Sequence, residues 1–315
     1  MMGSSVIKRL RFENIYTFIG LIVLCIILSI LSPVFLTWGN ISNIFLQSCI
    51  NGLLAIGVTF VIISGGIDLS VGAILALSGI ITAICLRAEF SLIPAVIIGV
   101  LVGGIIGLIS GLIITGFHMP PFIVTLGMMS MTRGLALVAS NGQSIYGFDD
   151  AFQFIGQGYI IGIPMPVIIL FVVAFIGFFI LKYTRIGRYA YAIGGNIEAT
   201  KLSGVNTKKY MTILYCFSGL SAGLAGIIMA SRLDSAQGIS GLGYELQAIA
   251  AAVIGGTSLS GGEGSVWGTI IGTLIISVIG NGMNLLNVSS FIQQIIIGFV
   301  IILAVFLDSV KKRNH

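Results

Sequence analysis

Charge is what this sequence has least of. Only 8% of its 315 residues are Asp, Glu, Lys or Arg, while 57% are hydrophobic. Soluble domains carry about a quarter charged residues, so a soluble globular fold is excluded. Period-2 alternation is also missing, which excludes a transmembrane β-barrel. Cys25, Cys49, Cys85 and Cys216 stand singly inside apolar stretches and read as packing residues, not as disulfides or metal ligands. His118 and His315 are too few and too far apart for a metal site. No Gly is followed by Lys, so the chain has no Walker-type phosphate loop of its own. The formal G-x-S-x-G at Gly219 to Gly223 lies in an apolar helical stretch without a preceding strand or nearby His; it reads as helix packing. No paired carboxylates share one span, so an intramembrane hydrolase or a proton relay lacks its parts.

What is present is a succession of apolar runs, most of them near the twenty residues or so that cross about 30 Å of hydrocarbon. Ten candidate spans result: 15–32, 44–64, 69–86, 92–115, 121–140, 164–182, 210–231, 244–258, 265–285 and 291–308. The expected class is an all-α polytopic membrane protein with about ten transmembrane helices and a single membrane domain over residues 1–315. Lys8, Arg9 and Arg11 before the first run mimic a signal peptide, but Ser32-Pro33-Val34-Phe35 follows in place of a small-residue cleavage site, which predicts a retained span. With both termini cytoplasmic, twelve of the fifteen Lys and Arg fall on the cytoplasmic side, leaving Arg87, Arg133 and Arg232. The net charge of +5 is therefore a topology signal and not a nucleic-acid footprint. Span 244–258 is short enough to be re-entrant, yet it must cross for the C-terminal Lys311, Lys312 and Arg313 to lie inside.

One long charged loop interrupts the apolar pattern. Residues 182–210 hold six of the basic residues: Lys182, Arg185, Arg188, Lys201, Lys208 and Lys209. Between Gly194-Gly195 and Gly204 the sequence predicts a short helix, Glu198 to Ser203. Such a segment on the cytoplasmic side reads as a docking handle for something outside the membrane. The external stretch from Asn141 to Pro164 reads as a loop.

Glycine is plentiful, at 43 residues. Gly99, Gly103, Gly107 and Gly111 recur every four residues and so wind slowly around one helix face. Gly219/Gly223 and Gly268/Gly272 repeat the device, which suits static close packing or a sliding surface. Gly65 to Gly72 and Gly255 to Gly262 share the pattern G-G-x-x-L-S-x-G, placed by this topology at the cytoplasmic ends of two spans. Helix breaks in corresponding positions of two halves point to a transport pathway.

Four residues near the membrane are candidates for that pathway or its gating. Asp68 reads as an N-cap of the following helix or as a pathway group. Arg133, roughly 18 Å along its helix from Pro121, needs protein or water around it and reads as a structural partner or a cavity residue. Tyr244 and Glu245 open the short span near the outer face, where Glu245 caps that helix or meets a partner. Asn141, Gln143, Asp149, Asp150, Arg232, Asp234 and Gln237 read mostly as solvated external groups.

The motifs Ser64 to Gly72, Thr125 to Met129 with Arg133-Gly134, Thr184 to Tyr189, Ala192 to Asn196, Ser203 to Val205, Gly243 to Leu246 and Gly255 to Gly262 stand in an order that resembles the permease subunit of ribose-type bacterial ABC importers. The resemblance spans roughly Ser32 to Asp308. It implies a bacterial cytoplasmic (inner) membrane location and alternating access for a monosaccharide. The implied partners are a second permease copy, cytoplasmic ATPase subunits that bind the ATP, a periplasmic or lipid-anchored sugar-binding protein, and lipid, with no nucleic acid and no cofactor in the chain itself. It further implies that Glu198 to Ser203 is a coupling helix, with Arg188, Asn196, Glu198, Ala199, Lys201, Ser203 and Gly204 as the coupling residues. The alternatives are a branched-chain amino acid permease of the same architecture and an ion-coupled secondary transporter, which would need coupling-ion sites and no basic handle. An intramembrane enzyme has no residue constellation behind it.

Overall fold

A computed structural model describes residues 3–313, with side-chain environments for 17–306. Thirteen helices are described: α1 (Gly3–Leu31), α2 (Trp38–Ile63), α3 (Val71–Arg87), α4 (Leu92–Phe117), α5 (Pro121–Ala139), α6 (Asp150–Gln157), α7 (Met165–Tyr183), α8 (Arg185–Gly195), α9 (Ile197–Leu202), α10 (Thr207–Leu233), α11 (Tyr244–Ile254), α12 (Val266–Leu285) and α13 (Ser290–Arg313). Four two-residue strands form two small antiparallel ladders: β1 (Ile145–Tyr146) with β4 (Ser235–Ala236), and β2 (Tyr159–Ile160) with β3 (Ile163–Pro164). The protein is an all-α polytopic membrane protein. Six helices are long and apolar enough to cross a membrane (α2, α4, α5, α7, α10, α12), and shorter apolar helices cover Thr17–Leu31, Val71–Arg87, Tyr244–Ile254 and Ser290–Phe306.

Local chemistry sets several of these boundaries. Pro121 starts α5 at a position where its missing N–H costs nothing. The side chains of Asn196, Asn206 and Ser265 accept the amides of Ala199, Lys209 and Gly268 at 2.9, 3.0 and 3.0 Å, capping α9, α10 and α12. α2 stops at Ser64-Gly65, where Gly65 takes φ +81°, a conformation that glycine adopts without steric cost.

The bundle is built around α2, 89% of whose most apolar window is buried, against about a third for α4, α5 and α7. Leu53, Leu54, Val58 and Ile62 on α2 meet Ile74 of α3, Ala174 of α7, Leu214 and Ala222 of α10 and Ala251 of α11 in one cluster. α4 lies along α10 through the glycine stripe. A Cβ on Gly103 would overlap the carbonyl of Gly219, one on Gly107 the carbonyl of Tyr215, and one on Gly111 the backbone of Thr212 at 2.8 Å. Gly268 and Gly272 of α12 make the equivalent approach to Gly255 and Ala251. No atom fits between these backbones, which favours static packing over sliding. The glycines of the G-x-S-x-G stretch sit in the α4–α10 contact, while Ser221 Oγ donates to Leu53 O of α2 at 2.6 Å. The four cysteines are free.

Several expectations need correcting. Residues 182–210 are mostly helical, because α8 is an amphipathic helix whose Gly187, Ala190 and Ile193 are buried. α9 ends at Leu202, so Ser203 is its C-cap and not its last turn. Residues 141–164 carry α6 and three of the four strands. α1 begins at Gly3, so the backbone of Lys8, Arg9 and Arg11 is helical, while their side chains lie outside the described environments.

Candidate functional site

The functional candidates gather where helices break. Ser218 lies eleven residues into α10, about 17 Å from its start. Its hydroxyl donates to Asp68 Oδ2 at 2.7 Å. The break between α2 and α3 therefore reaches well inside the bundle, deeper than the end of the span where the sequence reading placed it. Asp68 is fully buried. Its Oδ1 accepts the Ser70 amide at 2.9 Å and the Ser70 hydroxyl at 2.6 Å. Ser70, not Asp68, is the N-cap residue of α3. Asp68 instead folds the break into an Asx-type turn and ties it to α10.

A second break enters from the opposite direction. Asp234, with φ +46°, ends α10, and its Oδ1 accepts the Phe148 amide at 2.9 Å. The chain then folds back into the bundle until Tyr244 starts α11. A Cβ on Gly72 of α3 would overlap both Glu245 Oε2 and Gly241 O, and Gly226 of α10 meets Leu75 in the same way. Gly226 lies seven residues below the end of α10, and Gly72 another three below Leu75, which puts Glu245 about 15 Å inside. It is not at the outer mouth. Its Oε1 accepts the Gly243 amide at 3.2 Å, while its buried Oε2 has no partner. That oxygen faces the first turn of α3, where the peptide dipoles favour negative charge. Arg133 clamps the re-entrant segment by donating to Gly238 O at 2.9 Å and Ser240 O at 2.6 Å. Tyr244 is half-buried at the start of α11.

α11 has only eleven residues, about 16 Å, yet the segment containing it runs from one end of α2 to the other. Arg232, just before it, donates to Asn43 Oδ1 and Leu46 O near the start of α2, both at 3.3 Å. Gly262, just after it, donates its amide to Ile63 O at the end of α2, at 2.8 Å. Arg232 and Asp234 are thus bonded to protein and not merely solvated.

The two G-G-x-x-L-S-x-G segments meet in space at this second end. Gly261 lies against the amide of Gly65 and the Cα of Gly194, and Gly194 against Ile63 O and the amide of Gly262. Glycines from three segments thus share one backbone contact: Gly65 after α2, Gly194 and Gly195 of α8, and Gly261 and Gly262 after α11. Tyr191 of α8 reinforces the joint by donating to Gly264 O at 2.8 Å. Burial pushes the Tyr191 phenol up to about 12, so it remains a donor at every physiological pH.

Beyond this joint α9 stands exposed. Arg188, Asn196, Glu198, Ala199, Lys201, Ser203 and Gly204 are all on the surface. Gly204, with φ +81°, donates to Lys201 O at 3.0 Å and closes the helix. Leu202, which the sequence reading passed over, projects 88% exposed from its tip. Ser218, Asn51 and Gln247 were also missed, because single polar residues in apolar helices carry no spacing signal until their partners are known. Asn51 Nδ2 donates to Gln247 Oε1 at 2.7 Å, joining α2 to α11.

The branched-chain amino acid transport system / permease component family matches residues 40–305. The chain belongs to this family. The permease is 50% identical to the ribose import permease protein of Bacillus subtilis (strain 168), over 97% of each chain. It is 46% identical to the ribose import permease protein of Escherichia coli (strain K12), over 93% of each. It is 44% identical to the D-allose transport system permease protein of the same strain, over 93% of this chain and 90% of that one. No solved structure matches the permease. It is a multi-pass membrane subunit of an importer and not itself an enzyme.

Proposed function

We propose that this permease carries ribose or a closely related monosaccharide across the bacterial inner membrane by alternating access. Two copies would enclose the pathway, each a single membrane domain over residues 1–315. Ten spans with both termini in the cytoplasm satisfy the Lys/Arg distribution, and α11 crosses with the extended segments on either side of it. Cytoplasmic ATPase subunits would bind the ATP; the permease itself carries no cofactor. A sugar-loaded binding protein, periplasmic or lipid-anchored, would dock on the α6 side, and lipid would cover α4, α5 and α7.

The observation that carries this reading is the connection of α9 to the broken helices. α9 is an exposed helix capped at both ends, with Leu202 as its apolar knob and Glu198 and Lys201 beside it. α8 links it to the glycine joint, where the α2–α3 break meets the α11–α12 connection. A push on α9 by closing ATPases therefore reaches the α2–α3 break and the α11–α12 connection through backbone contacts, a rigid-body transmission suited to rocking between inward- and outward-open states. Arg188, Asn196, Glu198, Ala199, Lys201, Ser203 and Gly204 are the coupling surface. Asp68, Arg133, Tyr244 and Glu245 hold or gate the pathway. A neutral polyol suits an interior where Asp68 and Arg133 are occupied by structural hydrogen bonds. A zwitterionic amino acid would need free charges.

The test is ATP hydrolysis by the permease and its ATPase in nanodiscs, challenged with a panel of sugar-loaded binding proteins. Stimulation by one of them, lost on disrupting Glu198 to Gly204, is expected. Uptake driven by an ion gradient without an ATPase would overturn the reading.

A further inference from the structure

α2 is the most buried of the six long apolar helices, yet one face of it carries a line of amides. Asn40, Asn43, Gln47 and Asn51 are spaced by three, four and four residues. At 100° per residue they fall within about 80° of the circumference, in a line along the helix. Such groups are costly in an apolar setting unless partnered. At the outer end Asn40 and Asn281 of α12 exchange hydrogen bonds, at 3.1 Å from Asn40 and 2.8 Å from Asn281.

At the inner end the partnering is incomplete. Asn51 is 93% buried, since its exposure is 7%, and it donates to Gln247 Oε1 at 2.7 Å, but its own Oδ1 accepts nothing. Two facing amides joined by one bond leave an acceptor on one side and donors on the other, whichever way each amide is turned. A hydroxyl group both donates and accepts, so this pair matches an alcohol and matches neither a carboxylate nor an ammonium. Ser277 of α12, one turn before Asn281, adds another buried hydroxyl without a partner. Unfilled capacity at buried polar atoms calls for a specific cause, and a transient polyol supplies one.

We propose that the inner part of this amide stripe, Gln47 and Asn51, lines the polyol path of the permease, and that Asn51 with Gln247 reads sugar hydroxyls at its inner end. This rests on the sugar-import reading above. The test uses the full complex of permease, ATPase and binding protein in proteoliposomes, with radiolabelled ribose as the probe. In Asn51→Leu and Gln247→Leu the ribose carried per ATP hydrolysed should fall at least tenfold. Because a Leu variant can fail to fold, Gln47→Cys and Asn51→Cys are made in a chain whose four native cysteines are replaced by Ala. Both should react with a membrane-impermeant charged thiol reagent during ATP turnover, and ribose-loaded binding protein should slow the reaction at position 51. An unchanged ribose-to-ATP ratio in both Leu variants, or no reaction at either cysteine, overturns the proposal. A wild-type complex that carries no monosaccharide, with both cysteines still reactive, overturns the sugar reading and with it the assigned ligand. A wild type that carries ribose while both cysteines stay inert overturns the stripe alone.

Discussion

Gly194 and Gly195 are neighbours in one helix, and the structure assigns them opposite tolerances. A Cβ on Gly194 would overlap Ile63 O and the amide of Gly262, the two groups whose 2.8 Å hydrogen bond closes the glycine joint. A Cβ on Gly195 meets nothing within 4 Å. Gly194→Ala must therefore push α8 away from the ends of α2 and the α11–α12 connection, or break that bond. Overpacking costs about 1–3 kcal/mol, and leaving the backbone pair unsatisfied costs a comparable amount. Either way the joint is weakened by at least about 1 kcal/mol, about fivefold in its closed population at 1.4 kcal/mol per tenfold. ATPase stimulation by loaded binding protein and ribose uptake should both collapse in Gly194→Ala, while Gly195→Ala stays within about twofold of wild type. Detergent melting measured alongside separates loss of coupling from global unfolding. If Gly194→Ala couples normally, or if both variants fail alike, the joint does not transmit force and the argument from backbone contact is wrong.

Other residues yield separate tests. Asp68→Asn keeps an acceptor for the Ser70 amide and hydroxyl, and Ser218 can accept from the new NH2 group, so a loss of about 1 kcal/mol and near-normal transport are expected; a tenfold transport loss at unchanged melting temperature would show that the charge itself is used. Asp68→Ala strands those donors and should cost about 2–4 kcal/mol in thermal stability. Gly103→Leu inserts a side chain where even a Cβ overlaps Gly219, and should lower the detergent melting temperature and transport together; unchanged values would contradict the close α4–α10 contact. Glu198→Lys and Leu202→Asp lie on the exposed face of α9, so insertion and melting should be normal while loaded-protein-stimulated ATPase and uptake fall together; intact coupling in both would remove α9 from the mechanism. Gly204→Pro cannot adopt φ +81° and lacks the amide that bonds Lys201 O, so it should give the same uncoupling by unwinding the end of α9.

Much of this was legible in the sequence because the relevant signals are local or periodic. Apolar run length located the helices, the four-residue glycine period identified the α4 face that meets α10, and Gly204 marked the end of α9. What stayed hidden depends on depth and on partners. Asp68 and Glu245 each stand beside a helix break, and hydropathy assigns a break to the nearest membrane surface. Only the contacts of Asp68 with Ser218 and of Glu245 with Gly72 reveal that both breaks penetrate the bundle. The shared G-G-x-x-L-S-x-G pattern suggested two related breaks but gave no sign that they touch, or that Gly194 completes the contact. The Gly and Arg content of α8 outweighs its apolar residues and suggests a loop, although burial of Ala190 and Ile193 against the bundle holds it helical.

The distribution of hydrogen-bonding capacity connects the fold to its cargo. Both oxygens of Asp68 are occupied by serine hydroxyls and a backbone amide, and the Arg133 guanidinium grips two backbone carbonyls. These charges maintain the breaks, so they are not free to bind a charged solute without releasing the turns they hold. The described buried side-chain atoms left without a partner are mostly neutral: Asn51 Oδ1 and the hydroxyls of Ser78, Thr132, Thr257 and Ser277. Glu245 Oε2 is the ionic exception, and it faces the start of α3, where the helix dipole already favours it. A pathway that locks its charges into its own architecture and leaves amides and hydroxyls open can exchange hydrogen bonds with a neutral polyol without desolvating an ion. Weak, replaceable bonds of that kind allow a solute to enter and also to leave. On the sugar-import reading proposed above, selection among sugars falls chiefly to the binding protein, and the permease needs only to tell a polyol from an ion.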